Sequence, residues 1–206
     1  MSKSRWIVVG GLLLVLAGLV SFSPADVRLG ALVKWVYLHG ALTFTGFVLF
    51  AGFSLTACAY LLTGKQSLFR LATRAYRVAL IFWVVDFCIW VPLGYFAWNS
   101  LFGEPRAIAF VWAMLLLGIG YIISQLINNT KLLAGLYTLL GAGLLLSFAG
   151  VQRVLHPLDP IGTSQGLTIK VFFAAILVTC IAISITLLVP PRRKEHVWTS
   201  GHKQNC

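Results

Sequence analysis

The chain is poor in charged residues, and this shortage determines its broad class. Only 10% of its 206 residues are Asp, Glu, Lys or Arg, whereas 59% are hydrophobic. An ordinary soluble domain has about 25% charged residues. The composition therefore excludes a soluble globular protein and predicts a polytopic membrane protein.

Acidic residues are scarcer still, with 5 Asp and Glu against 16 Lys and Arg and a net charge of +11. A basic balance of this size is common in nucleic-acid-binding proteins. Here, however, the basic residues fall in short clusters between apolar runs, which is typical of orientation signals in membrane proteins. We therefore predict contact with a lipid bilayer and none with nucleic acid.

Cysteine pairs are also missing. The four cysteines lie in three different apolar runs and at the C-terminus, and none forms a C-x-x-C pair: Cys58, Cys88, Cys180 and Cys206. No disulfide framework or redox motif is predicted. The chain also contains no internal repeat, no low-complexity segment and no stretch that suggests a soluble domain.

Six apolar runs divide the chain: Trp6 to about Phe22, Trp35 to Leu62, Val78 to about Trp98, Ala107 to Ile127, Leu132 to Leu155, and about Thr168 to Val189. Each is long enough, or nearly so, to cross a hydrocarbon core of about 30 Å as a helix. The prediction is an all-α protein with six transmembrane helices in one bundle, residues 1–190, and a basic cytoplasmic tail, residues 191–206. The first run is interpreted as a retained signal anchor, because the stretch after it is a poor cleavage site.

The connector between the second and third runs, residues 63–77, is basic and amphipathic. As a helix it would place Arg70, Arg74 and Arg77 on one face. This pattern predicts a separate interfacial helix lying on anionic lipid. The fifth run holds four glycines, which predict a core helix with close helix contacts: Gly135, Gly141, Gly143 and Gly150.

The distribution of basic residues predicts the orientation of the bundle, since the cytoplasmic side holds the excess. With both termini cytoplasmic, that side holds 11 of the 16 basic residues and the outer side holds 5: Arg28, Lys34, Arg106, Arg153 and Lys170. The predicted location is the cytoplasmic (inner) membrane of a bacterium or archaeon. Both histidines outside the tail then lie on the external side.

These two histidines occupy span ends. His39 lies near the start of the second run, and His156 closes the fifth run just before Pro157, which cannot continue a helix. Two imidazoles facing each other at one membrane surface suit a metal or a haem iron. Either histidine alone is equally explained as an amphipathic side chain at the headgroups. In the tail, His196 and His202 are interpreted as solvated residues.

Four further residues are candidates with two explanations each. Arg153 lies one turn before His156 and either pairs with a haem propionate or extends to the lipid headgroups. Trp35 and Trp98 belong either to an interfacial aromatic belt or to a haem pocket. Asp86, near the middle of the third run, is either protonated and hydrogen-bonded between helices, which is favoured, or part of a proton path. No basic residue is predicted at its depth.

Two short motifs, in this order, resemble a known family. The stretch Val36-Tyr-Leu-His39-Gly-Ala and the stretch Val151-Gln-Arg-Val-Leu-His156-Pro are similar to the two histidine positions of the cytochrome c assembly family of haem-handling membrane proteins. The resemblance covers about Lys34 to Val189 and implies that His39 and His156 are axial haem ligands. The family's tryptophan-rich WWD segment between the histidines is missing here, so the resemblance implies haem binding without the usual delivery.

The leading hypothesis is a protein that holds haem b between His39 and His156 for cytochrome c maturation, with other membrane or periplasmic assembly proteins as partners. Six-coordinate iron has no open position for a substrate, so holding haem or passing an electron is expected rather than catalysis. One alternative is a haem b electron-transfer subunit of a respiratory complex. Another is a haem-free transporter or assembly partner that uses Asp86.

Overall fold

The structure, a computed structural model, describes residues 3–25, 29–98, 105–150 and 166–189. Within these residues it contains six α-helices: α1 (Lys3–Phe22), α2 (Val33–Thr63), α3 (Gln66–Trp98), α4 (Pro105–Leu126), α5 (Thr130–Ala149) and α6 (Leu167–Leu188). All six are long and apolar enough to cross a membrane. The prediction of an all-α, multi-pass bundle with six spans is confirmed. The tail at 191–206 lies outside the described residues.

Two helix ends show why the chain turns where it does. After α2, Gly64 adopts a left-handed conformation with φ 69°, and its N–H donates to the carbonyl oxygen of Tyr60 at 2.8 Å. Before α5, the Asn129 side chain accepts hydrogen bonds from the backbone N–H groups of Lys131 and Leu132, at 2.9 and 3.2 Å. The connections from α2 to α3 and from α4 to α5 are therefore short, which makes each pair an antiparallel hairpin.

The hairpin of α2 and α3 forms the centre of the bundle. Rings from its two helices meet at three successive levels, with centroids 5.2, 5.4 and 4.9 Å apart: Tyr60 with Phe69, Phe53 with Tyr76, and Phe50 with Trp83. Helices α5 and α6 pack against α2, and α4 packs against α3 and α5. The core of the protein thus lies on the inward faces of this hairpin.

The prediction of a separate interfacial helix at 63–77 is wrong. Helix α3 begins at Gln66 and runs without interruption to Trp98, so its basic segment continues the third span. The reason lies on the face opposite the arginines, where Ala72, Ala75 and Tyr76 are buried. The Tyr76 ring stacks on Tyr137 of α5, with centroids 4.7 Å apart. These tertiary contacts hold the segment upright in the bundle.

Only one of the four glycines predicted to allow close helix contact does so. A Cβ atom on Gly141 would lie 2.7 Å from the carbonyl oxygen of Phe50 in α2, whereas Gly135 and Gly143 have open space around them. Near the same crossing, the Ser54 hydroxyl donates to the carbonyl oxygen of Thr138 at 2.9 Å. Of the four glycines, Gly141 is therefore the one at which the backbone of α5 comes close to α2.

Helix α1 lies at the edge of the bundle, against α6. The Arg5 guanidinium donates to the carbonyl oxygen of Val189, so α1 begins at the end of the bundle where α6 finishes. We call this the inner end, where α2 and α4 also finish and α3 and α5 begin. The other is the outer end. The start of α1 and the end of α6 thus share a side, in agreement with the predicted arrangement; that this side is cytoplasmic stays a prediction.

Candidate functional site

The most polar site within the helices joins α2 to α3 in the outer half of the bundle. The Asp86 carboxylate of α3 lies 2.7 Å from the His39 Nδ1 atom, through its Oδ1, and accepts a hydrogen bond from the Thr43 hydroxyl at 2.6 Å, through its Oδ2. His39 and Thr43 are four residues apart on α2, so both face the same side of that helix. Each carboxylate oxygen therefore has its own partner on the neighbouring helix.

Burial makes this arrangement energetically significant. Asp86 is fully buried, at 0% exposure, while the His39 side chain is 22% exposed. An unpaired carboxylate at this position would be strongly unfavourable, because neither lipid nor an apolar core can solvate it. The two hydrogen bonds from α2 offset that penalty, and they also determine how the two helices align.

Aromatic residues form the wall beside the histidine. Phe110 of α4 meets the His39 ring edge to face, with centroids 5.7 Å apart, and stacks on Trp83 at 4.5 Å. The Trp83 Nε1 atom donates to the carbonyl oxygen of Phe110 at 3.3 Å. A Cβ atom on Gly46 of α2 would lie 2.8 Å from the same indole ring. Gly46 therefore makes the space in which Trp83 positions Phe110.

The contact at Nδ1 controls what the rest of the imidazole can do. A carboxylate only accepts hydrogen bonds, so with Asp86 ionised and His39 neutral the proton lies on Nδ1. The Nε2 atom then carries the free lone pair, and it has no hydrogen-bond partner among the residues that the structure describes. A partly exposed imidazole held in this form can bind a metal or accept a proton.

The pairing of Asp86 with His39 corrects the expectation that no basic residue shares its depth. That expectation treated each apolar run as centred separately in the membrane. In the structure α2 and α3 are joined at the turn of Gly64, so the depth of a residue in the hairpin is set by its distance along the chain from that turn. His39 lies 64 − 39 = 25 residues before Gly64, and Asp86 lies 86 − 64 = 22 residues after it. In an antiparallel hairpin these positions are less than one turn apart, which the sequence would have indicated had the connector been read as part of α3.

The other predicted site residues are not brought together in the described part of the chain. Trp35 lies one turn before His39, and its side chain is 50% exposed rather than packed on the imidazole. Trp98 is the last residue of α3, and its side chain is outside the described residues. Arg153 and His156 also lie outside them, because α5 ends at Ala149 and the described chain resumes at residue 166. Their roles stay predictions.

Sequence reasoning missed two residues of this site. Thr43 could have been found, because it follows His39 by four residues and a hydroxyl there faces the same neighbour. Phe110 could not, because it comes from a distant helix and resembles any other apolar residue of α4. The Asp86 hydrogen bonds between helices are present, while its protonation stays a prediction.

The described residues contain no group of three or more His, Cys, Asp or Glu side chains that could hold a metal ion. A site with a full set of such ligands is therefore not formed among them. A haem iron held by two axial imidazoles requires only two protein ligands, and the partly exposed His39 imidazole, beside Phe110, is the one candidate ligand of that pair within the described residues.

Comparison with known proteins adds no assignment. No protein-family model matches the chain, and no curated protein matches its sequence. The fold and the site define the class as a multi-pass membrane protein with six described helices and an Asp–His–Thr cluster around the buried Asp86 in its outer half.

Proposed function

We propose that the protein is a haem-binding integral membrane protein of the cytochrome c assembly type, with haem b held at the outer end between His39 and His156. The observation that carries the proposal is the 2.7 Å contact between the His39 Nδ1 atom and Asp86. Metal-ligating histidines typically donate their other ring N–H to a carboxylate or carbonyl group, which fixes the ring and raises its basicity. His39 has this arrangement within the bundle.

The surroundings hold His39 in place on two sides. Phe110, itself buried and stacked on Trp83, packs against the imidazole, and Asp86 is held from a second direction by Thr43. Bound between two imidazoles, haem iron would supply one-electron chemistry or simply be stored. Arg153 would pair with a propionate, and Trp35 and Trp98 would lie at the edge of the pocket.

The positions of the basic residues support a membrane location and an orientation for the protein. In the described part of the chain the inner end carries Lys3, Arg5, Lys65, Arg70, Arg74, Arg77 and Lys131, and the outer end carries Lys34, Arg106 and Lys170. This excess supports a cytoplasmic inner end, in the inner membrane of a bacterium or archaeon. The haem would then lie at the external surface, where membrane or periplasmic partners of cytochrome assembly, or of a respiratory complex, could reach it.

A second candidate function is a haem-free one, and the fully buried Asp86 favours it. A carboxylate hydrogen-bonded to an imidazole within the membrane is also the chemistry of a proton relay in transporters. In that case Nε2 of His39 would exchange protons with the outer side. The two proposals differ in whether purified protein carries haem.

The test is a reduced-minus-oxidised absorbance spectrum of protein purified in mild detergent, with haem supplied during expression. Wild-type protein is expected to show a low-spin haem b spectrum. His39→Ala and His156→Ala should each change or abolish it, because each removes one axial ligand. His196→Ala and His202→Ala, in the tail, are controls and should leave it unchanged.

Asp86→Asn tests the carrying observation separately. Asparagine keeps the shape but replaces one carboxylate oxygen with an N–H₂ group, so it cannot accept from both His39 and Thr43 as the carboxylate does. Haem affinity should fall about 10- to 100-fold, the usual effect of losing such an outer partner. Wild-type protein that takes up no haem, or single histidine variants with unchanged spectra, would instead support the haem-free function.

A further inference from the structure

The outward face of α3 at the inner end carries a row of arginines. Arg70, Arg74 and Arg77 are spaced by four and three residues, which places them on one side of the helix. Arg70 and Arg77 are exposed and Arg74 is half-buried, while Ala72 and Tyr76 on the opposite side are fully buried in the bundle. Arg70 and Arg77 therefore lie on the surface of the bundle, with the partly covered Arg74 between them along the helix.

The same helix face becomes apolar directly after Arg77. Ile81, Val84 and Val85 follow it toward the outer end, and their side chains are 54%, 38% and 46% exposed. In a membrane-spanning helix, exposed aliphatic side chains of this kind face lipid tails. One continuous strip of α3 thus runs from positive charge to alkyl surface, which matches the order of phosphate and acyl chain in a phospholipid.

The length of α3 brings the arginines to the level of lipid headgroups. Its 33 residues make a helix of about 50 Å, against a hydrocarbon core of about 30 Å. The start of α5 lies beside it, because the Tyr60 hydroxyl is 2.8 Å from the Thr130 hydroxyl and also accepts from the Gln66 side chain at 3.3 Å. Lys131 therefore adds positive charge at the same end.

The protein supplies no carboxylate to neutralise this charge within its described residues. Asp86 is the only acidic residue among them. It is buried in the outer half of the bundle and bonded to His39 and Thr43. None of the three arginines therefore has a carboxylate partner among the described residues, and guanidinium groups bind phosphate oxygens in a bidentate manner that lysine does not reproduce.

We propose that this face of α3 is a binding site for an anionic phospholipid, with the phosphate held by Arg70, Arg74 and Arg77 and an acyl chain lying along Ile81, Val84 and Val85. The site is at the opposite end of the bundle from the Asp86 cluster. It does not depend on haem binding, and it follows only from the exposed charges, the apolar strip beyond them and the absence of a nearby carboxylate among the described residues.

The experiment is native mass spectrometry of detergent-purified protein titrated with phosphatidylglycerol or with phosphatidylcholine of the same chain length. Wild-type protein should bind phosphatidylglycerol in preference to phosphatidylcholine. The triple variant Arg70→Gln, Arg74→Gln, Arg77→Gln should bind it at least tenfold more weakly, since each basic residue near an anionic surface contributes about 1 kcal/mol, or about fivefold. Circular dichroism confirms that the variant keeps its helices.

A charge-matched control removes the same number of positive charges from the tail, in Arg192→Gln, Arg193→Gln, Lys194→Gln. It should leave the affinity within about twofold of wild type, and an equal loss in both triple variants would overturn the site in favour of net charge alone.

Glycerol 3-phosphate, a headgroup without acyl chains, should not displace the lipid at millimolar concentration. Displacement would show that the arginines bind a phosphate group alone and that the apolar strip contributes nothing, which would overturn the lipid site. Arg70→Gln alone, expected to weaken binding about fivefold, keeps the proposal testable if the triple variant does not fold.

Discussion

Helix α1 and the hairpin of α2 and α3 are both apolar, yet they have opposite places in the protein. Helix α1 buries a single residue, Val9, whereas α2 buries twelve, including the polar residues Thr45 and Ser54. The less uniformly apolar helix is thus the central one. In a bilayer the outer surface of a bundle must suit lipid, so polar groups go inward, where other helices satisfy them.

This difference means that apolarity alone predicts membrane insertion and not burial. Apart from Lys3 at its start, the large side chains exposed on α1 are all apolar, including Ile7, Leu14 and Phe22. The residues that define the interior are instead the ones that need a specific neighbour, such as Asp86 and Trp83. The contrast between peripheral α1 and the central hairpin can be tested with matched substitutions.

The largest effect is expected at the centre of the hairpin. Phe50 is fully buried and packs on Trp83, so Phe50→Ala should lower the free energy of unfolding by about 3–5 kcal/mol. Its match on α1 is Phe22, which is 83% exposed, and Phe22→Ala should change stability by less than about 0.5 kcal/mol. Thermal unfolding in detergent, followed by circular dichroism, measures both. Comparable losses in the two variants would place α1 in the core as well.

A second test uses the close contact of α5 with α2 at Gly141. An added Cβ atom at Gly141 would lie 2.7 Å from the Phe50 carbonyl oxygen, so Gly141→Ala should destabilise the protein by about 1–3 kcal/mol. Gly135→Ala in the same helix meets open space and should be neutral or stabilising by up to about 1 kcal/mol, because alanine favours helix over glycine. The same unfolding measurement should therefore show a loss of stability for Gly141→Ala and none for Gly135→Ala. An equal loss in both variants would contradict the close contact at Gly141.

The smallest effect is expected at Trp83. Trp83→Phe removes the indole N–H that donates to the Phe110 carbonyl oxygen and replaces a fully buried ring by a smaller one, so a cost of about 1–2 kcal/mol is expected. Trp6→Phe on α1, where the ring is 60% exposed, should cost nothing measurable. Because Phe110 lies against His39, Trp83→Phe should also alter the spectrum of any haem held there, while Trp6→Phe should not. An unchanged haem spectrum in Trp83→Phe would show that this tryptophan does not influence the site at His39.

Much of the fold could be predicted because it depends on local composition. The six spans follow from run lengths, and the turn at Gly64 and the corner at Asn129 follow from residues that end or begin helices. The error at α3 has a different origin. Arg70, Arg74 and Arg77 have the same helical pattern in an interfacial helix as in an upright one, and only the contacts of Tyr76 and Tyr137 distinguish the two.

The candidate site was predicted only in part. His39 and Asp86 were singled out separately, because an imidazole at a span end and a carboxylate within a span are both unusual. Their pairing depends on the register of α2 against α3, which the incorrect start of α3 had displaced. His156 and Arg153 remain predicted partners on the outer side.

The sequence by itself determined that the protein enters a membrane, how many times it crosses and which residues are too costly to bury without a partner, because these depend on the transfer of each side chain from water to lipid. Only the tertiary structure decided which helix is central and which partner each polar group has. Those outcomes depend on the register and the contacts of the helices, which the composition of each apolar run does not specify by itself.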